Sequence, residues 1–313
     1  MQRRSKIVIT GGAGLVGQNL AIWLSQAGYH QITVLDKHAH NLDVLRQVQP
    51  HLDCRLADLA EPGNWQQVVN RADVVITLHA QIGSLREQDF QRNNVRATAN
   101  VLDAMASQRD PYLLHVSSSV IESIAEDAYT RTKKRGEDMV QGSSFDWCIL
   151  RPTLMFGWFD RKHLGWLARF MRKTPVFPIP GNGRYIRQPL FAGDLCQIIL
   201  SCLKQRISGQ VFDITGLERV AYVDIIRAIR RAVGSRTLLL PLPYAVFHGL
   251  LEIYGWFDRD PPFTREHLRA LVTNETFAVI DWEAIFGVTS TPFEEAVNEA
   301  FSHPQYSKYA LKL

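Results

Sequence analysis

Apolar residues along the chain fall into short β-branched runs that alternate with longer stretches of helical spacing. Lys6 to Ile9 is the first run, and a buried strand reads this way. Glycines follow at Gly11, Gly14 and Gly17. Behind them Leu15, Val16, Leu20, Ile22, Trp23 and Leu24 recur mostly at helical intervals, so a helix is predicted from about Leu15 to Ala27. Further strands are predicted over Gln31 to Asp36, Leu52 to Leu56, Asp73 to Leu78, Tyr112 to Val116 and Gln210 to Ile214. Helices are predicted between them over Leu42 to Val48, Trp65 to Asn70, Phe90 to Ser107 and Phe191 to Lys204. Strand–helix alternation of this length specifies an α/β fold with a parallel sheet.

The last third is less regular. Val223 to Val233 is an amphipathic helix whose basic face (Arg227, Arg230, Arg231) reads as solvated. Leu238 to Phe257 is the most apolar stretch, broken by Pro241, Pro243, His248, Gly249, Glu252 and Gly255. Core packing is its default reading; lining a cleft, a subunit contact and a membrane surface are the alternatives. Phe263 to Val272 and Thr291 to Phe301 read as closing helices.

Composition narrows the function classes. The 313 residues are 46% hydrophobic and 21% charged, which is ordinary for a globular protein with a sizeable core. A formal charge of +4, dispersed along the chain, gives no footing for nucleic acid. No segment reaches the roughly 20 apolar residues of a membrane span, and the basic MQRRSK start precedes too short an apolar run for a signal peptide. Cys54, Cys148, Cys196 and Cys202 lack metal-ligand spacing, sit in apolar surroundings, and read as reduced core residues of a cytoplasmic protein.

The chemistry starts at the glycines. A helix N-terminus offers unpaired N–H groups and the positive end of its dipole, and glycines let a backbone approach an anion there. Strand, glycine turn and helix in that order make a pyrophosphate cradle of the dinucleotide-binding kind. Asp36 ends the second strand about 20 residues later, where a carboxylate can accept both ribose hydroxyls and repel a 2′-phosphate. NAD is therefore favoured over NADP, although Lys37, His38 and Arg46 stand nearby. Asp58 can reach an adenine amine or cap the next helix. After the fourth strand come His79, Ala80 and Gln81; small residues there leave room for a cofactor, and His79 reads first as a structural histidine.

The fifth strand ends in Ser117, Ser118 and Ser119, and Tyr129 and Lys133 follow four residues apart, on one helical face. An ammonium beside a phenol lowers the phenol's pKa, and such a tyrosine can move a proton to or from a carbinol or carbonyl oxygen. A strand-end serine can share that oxygen.

Taken together, these segments resemble the extended short-chain dehydrogenase/reductases, the NAD-dependent epimerase/dehydratase family. TGGAGLVGQNL (Thr10 to Leu20), NNVRATANVLDA (Asn93 to Ala104), HVSSS (His115 to Ser119), LRPTLMFG (Leu150 to Gly157) and GNGRYIRQPLFAGDL (Gly181 to Leu195) are similar to its motifs, in its order. The resemblance implies a Rossmann-type doubly wound parallel sheet with a smaller C-terminal substrate domain. It divides the chain into 1–157 plus about 190–216 for the dinucleotide and 158–189 plus 217–313 for the substrate. Gly11, Gly14, Leu15, Val16 and Gly17 would cradle NAD, with Asp36, Asp58, Leu59, His79, Ala80, Asn94 and Lys133 around it. Tyr129 would be the acid/base, Lys133 its partner and a ribose contact, and Ser118, in preference to Ser119, the catalytic serine. Arg187 would bind the diphosphate of a sugar nucleotide, with Arg184 assisting, Ser119 close to the substrate, and His163 either a substrate contact or a surface residue. A homodimer is a further expectation from family habit.

Two departures matter. The serine-to-Tyr129 interval is short, and no acidic pair follows Ser118, which disfavours 4,6-dehydration. The resemblance thus implies an epimerase or 4-keto reductase of a sugar nucleotide. The alternatives are a dehydrogenase of a sterol-like or other lipid alcohol, and a non-catalytic dinucleotide-binding structural or sensing protein.

Overall fold

The computed structural model describes residues 4–106, 110–122, 127–257, 268 and 271–311, without side-chain surroundings for 253–257. Two compact units emerge: residues 1–153, 192–214 and 280–290 form the first, and 154–191, 215–279 and 291–313 the second.

The first unit is built on a seven-stranded sheet. Its strands are β1 (Ile7–Thr10), β2 (Ile32–Asp36), β3 (Asp53–Leu56), β4 (Val74–Thr77), β5 (Tyr112–Val116), β6 (Asp146–Pro152) and β11 (Gln210–Ile214). Their spatial order is β11-β6-β5-β4-β1-β2-β3, every pair parallel. This is the predicted doubly wound Rossmann-type sheet. β1, β4 and β5 are buried along their whole length, as apolar runs in a sheet covered on both faces must be. β3, with sequence DCRL, is mostly exposed, and its charges suit the sheet edge it occupies. Val8, Leu35, Val75, Leu113 and Ile149 share a core with Val101, Met105 and Val140 of the covering helices. Chain order reverses between β1 and β4, so the loops leaving their carboxyl ends open the crevice where doubly wound sheets bind ligands.

The predicted helices are present: α1 (Leu15–Gln26), α2 (Ala39–Val48), α3 (Trp65–Val69), α5 (Ala97–Met105), α6 (Ala128–Gln141) and α8 (Ala192–Gln205). One differs in kind. The stretch predicted as a single helix over Phe90 to Ser107 starts as α4 (Glu87–Phe90), widens into a π-helical turn over Gln91–Arg96 and resumes as α5; Ser107 lies outside the described residues. Residues 280–290, expected in the substrate part, belong to the first unit: Ser201 Oγ donates to Phe286 O at 2.6 Å, and Phe286 meets Phe212 edge-on. Cys148, Cys196 and Cys202 are buried, whereas Cys54 is only half-buried on the edge strand.

The second unit holds β7 (Met155–Phe156), α7 (Leu164–Lys173), β8 (Val176–Pro180), β9 (Ile186–Arg187), β10 (Leu190–Phe191), β12 (Val220–Ala221), α9 (Tyr222–Ala232), β13 (Leu238–Leu242) and α10 (Tyr244–Phe257), with closing helices at Phe293–Ser302 and Ser307–Leu311. Phe156, Phe177, Ile226, Ile229, Phe293 and Phe301 lie in its core. Core packing is the default reading for Leu238 to Phe257; among its described side chains, 238–252, Leu239 packs against this core but others do not. Leu238, Leu240, Tyr244, Val246 and Leu250 are exposed. The predicted helix over Phe263 to Val272 falls largely outside the described residues.

Candidate active site

The glycine turn is tight. Gly11 has φ +66°, and a β-carbon there would stand 2.5 Å from the Cα of His79. A β-carbon on Gly17 would stand 2.3 Å from the Cα of Gly12, so α1 reaches its start only because both positions lack side chains. Gly14 opens α1 with no side-chain cap and no acid in the first turn, leaving the N–H groups at Leu15, Val16 and Gly17 for an anion. Asp36 braces this loop. One carboxylate oxygen accepts from Ala13 N at 3.0 Å, and the other from His38 N at 2.9 Å and lies 2.8 Å from His38 Nδ1.

Other predicted residues surround the loop. Asp58 caps its own turn by accepting from Ala60 N at 3.1 Å and pairs with Arg92 at 2.8 Å. Leu59 is buried. His79 is held at both ring nitrogens, by Thr10 Oγ1 at 2.7 Å and Thr98 Oγ1 at 3.1 Å. Burial, with the charges of Lys133 and Lys37, pushes its pKa down to about 3, so it stays neutral. Ala80 is exposed beside it. Buried Asn94, in the π-helical turn, ties the loop to α6: it accepts from Gln81 N at 2.6 Å and donates to Thr132 Oγ1 at 3.0 Å. A π-turn displaces side chains relative to a regular helix, which is a reason such turns recur at functional sites.

Ser118, Tyr129 and Lys133 come together at the end of β5. Asp127 caps α6 by accepting from Thr130 N at 2.7 Å, which fixes the helix start just before Tyr129. The Tyr129 phenol is hydrogen-bonded to Ser118. Ser118 is half-buried, while Ser119 is buried at the start of a 3-10 turn. The i, i+4 spacing of Tyr129 and Lys133 predicts a phenol lowered by lysine. Instead burial raises the Tyr129 phenol above its ordinary value, opposed by the Ser118 hydrogen bond and reinforced by the Asp127 charge. Buried Lys133 donates from Nζ to Val116 O at 3.0 Å. Burial pushes its pKa down to about 8 against the raising charge of Glu137. Glu137 in turn is held by Arg151 at 2.7 Å.

The Glu137–Arg151 pair and His115 are additions the sequence reading missed. His115 Nδ1 meets Thr77 Oγ1 at 2.7 Å, and its buried Nε2 has no hydrogen-bond partner among the described residues. Their signals were present: Glu137 follows Lys133 at i+4, His115 opens HVSSS, and Arg151 is the second residue of LRPTLMFG.

In the second unit, Arg187 is spent on structure. Its guanidinium donates to Ile186 O and Thr273 O, each at 2.7 Å, and to Leu271 O, with Glu275 at 3.7 Å. Arg184 is exposed on the turn after β8. His163 precedes α7, and its N–H donates to Asp160 at 3.0 Å.

Residues 7–215 match the family model described as the NAD dependent epimerase/dehydratase family. The chain belongs to the NAD-dependent epimerase/dehydratase family. Its cofactor is NAD, and the glycine cradle, the free start of α1 and the Asp36 carboxylate fit that dinucleotide. Among individual relatives, the chain is 22% identical over 244 residues to a ceramide reductase of Caulobacter vibrioides, covering 77% of this chain and 74% of that protein. It is 24% identical over 243 residues to the mitochondrial NADH dehydrogenase [ubiquinone] 1 alpha subcomplex subunit 9 of Rattus norvegicus, covering 76% of this chain and 63% of that protein. The fold matches a UDP-glucuronic acid 4-epimerase from Bacillus cereus, solved in complex with NAD, with a TM-score of 0.71 at 19% identity over 97% of this chain and 98% of that one.

Proposed function

We propose that this family member is an NAD-dependent oxidoreductase or epimerase that moves hydride at a carbinol or keto carbon, with Tyr129 as the acid/base. The observation that carries the reading is the Ser118–Tyr129 hydrogen bond with buried Lys133 one turn along α6. When bound, NAD supplies the hydride acceptor or donor. Gly11, Gly14 and Gly17 would receive its pyrophosphate at the start of α1, and Asp36 its adenosine ribose. Ser118 would hold the substrate oxygen and Tyr129 pass its proton. A charged Lys133, at a pH below about 8, stabilises phenolate character during that transfer.

The first substrate class we assign is a sugar nucleotide. Exposed Arg184 on the GNGR turn is suited to a diphosphate and supports this reading, as does the Bacillus cereus structural neighbour, a UDP-glucuronic acid 4-epimerase. A second reading is a lipid alcohol or ketone, favoured by the engagement of Arg187 with carbonyls and by the relative called a ceramide reductase. Tyr129→Phe is the test of the chemistry. It should retain NAD binding and lose about 100- to 10,000-fold in turnover. Unchanged turnover refutes the assignment. NADH formation across a panel of sugar nucleotides and long-chain alcohols separates the substrates. Tight NAD binding with no hydride exchange anywhere in the panel would favour the structural or sensing alternative.

A further inference from the structure

The second unit carries an apolar surface that the chemistry above does not use. β8 and β13 form an isolated two-stranded parallel ribbon, with Leu238 opposite Val176. One face shows Val176, Leu238 and Leu240, and the chain then runs through Pro243 into α10, where Tyr244, Val246 and Leu250 are exposed. Leu238 is 61% exposed, Leu250 52% and Val246 49%. Val246 and Leu250 are helical neighbours at i, i+4. Contiguous exposed residues of this kind mark an interaction surface.

Basic side chains flank both ends. At the start of the ribbon, Ser235 Oγ donates to Met171 O at 2.6 Å, Thr237 Oγ1 to Thr174 O at 2.7 Å and Leu238 N to Pro175 O at 2.8 Å. Those bonds gather Arg172, Lys173 and Arg236 into one exposed corner. At the other end, Gly181 N donates to Leu242 O at 2.7 Å, which sets exposed Arg184 beside the entry to α10. None of these four side chains has an acidic partner among the described residues. Across β8, β13 and α10 the sequence contains a single acid, Glu252, which lies 3.8 Å from His248.

We infer that the β8–β13 ribbon and α10 dock this chain on the surface of an anionic lipid bilayer. The apolar residues enter the acyl boundary while Arg172, Lys173, Arg184 and Arg236 meet lipid phosphates. A bilayer surface offers both halves of that complement at once, negative headgroups over hydrocarbon. A second copy of the chain does not. A two-fold contact through this patch would lay one basic end against the other, and like charges would oppose. The helix lies in the interface rather than crossing: among the described residues no helix is long and apolar enough to span. Arg184 cannot serve a lipid phosphate and a substrate diphosphate at once, so docking of this kind goes with the lipid-alcohol reading, in which Arg184 has no substrate role.

The test is co-sedimentation of the full chain with vesicles of phosphatidylcholine alone and with 30 mol% phosphatidylglycerol, at low and high salt. Binding is expected only with the anionic vesicles, and weaker as salt rises. Arg172→Ala with Lys173→Ala should weaken it about 25-fold, from about fivefold per charge near the surface. Val246→Glu with Leu250→Glu should abolish it, while unchanged circular dichroism and NAD binding show that the variant folds. Three results would overturn the inference: no binding to anionic vesicles, equal binding to neutral ones, or a dimer that the glutamate pair dissociates and that ignores vesicles.

Discussion

Replacing Arg187 separates a substrate-binding role from a structural one. The side chain is buried, at 6% exposure, and donates to three backbone carbonyls on two segments, Ile186 in β9 and residues 271 and 273. Arg187→Leu keeps apolar bulk and removes every donor. Hydrogen bonds from a charged donor contribute about 1.5–3 kcal/mol each, and an orphaned buried carbonyl costs about 1–3 kcal/mol. Three carbonyls partly rescued by water, set against the desolvation cost of the guanidinium that is recovered, leave a loss of about 3 kcal/mol. For a chain of 313 residues that lowers Tm by roughly 5 °C. Arg187→Lys should recover part of the loss, since an ammonium lacks the planar fork. The assay is thermal unfolding of the wild type and both variants without ligand. A Tm within about 2 °C of wild type, accompanied by a raised KM, would show that the carbonyl contacts are incidental and that Arg187 serves the substrate.

Three other outcomes follow from the first unit. Lys133 has a folded pKa of about 8 against an ordinary lysine value of 10.5, so between those values the unfolded chain binds more protons and stability rises with pH, by up to about 3 kcal/mol in all. Lys133→Met should flatten that rise in urea unfolding at pH 7.5 and 10; parallel pH dependences in the two proteins would contradict the burial of a charged lysine. Gly17→Ala should abolish measurable NAD binding by calorimetry and cost stability, because its β-carbon meets backbone rather than a flexible side chain; wild-type affinity would mean the loop opens freely. Asp36→Ala should weaken NAD about 10- to 100-fold and narrow the preference over NADP, and unaltered discrimination would remove Asp36 from the ribose site.

The sheet was legible because a parallel strand buried on both faces has few sequence solutions, and IVIT, VVIT and YLLHV are among them. The glycine cradle was legible for a similar reason: close backbone approach admits one residue type. What periodicity reports is that a face is apolar, not what covers it. Leu238 to Phe257 therefore read as core although much of it faces solvent, and residues 280–290 gave no sign of which unit they join. Arg187 shows the limit of motif matching, since a guanidinium suits carbonyl oxygens and phosphate oxygens alike, and only the surrounding backbone decides between them. Spacing on α6 placed Tyr129 and Lys133 on one face, but the direction of the phenol shift depended on burial, which spacing does not contain.

The interleaved course of the chain also sets a timetable for its synthesis. β6 ends at Pro152, yet its outer neighbour β11 begins only at Gln210, and the segment around Phe286 follows later still. At about 5–20 residues per second, β6 waits on the order of 3–12 s on the ribosome with one edge of hydrogen-bonding groups unpaired. That interval is when a nascent chain of this protein is most open to pairing with the wrong strand, and it is set by connectivity alone.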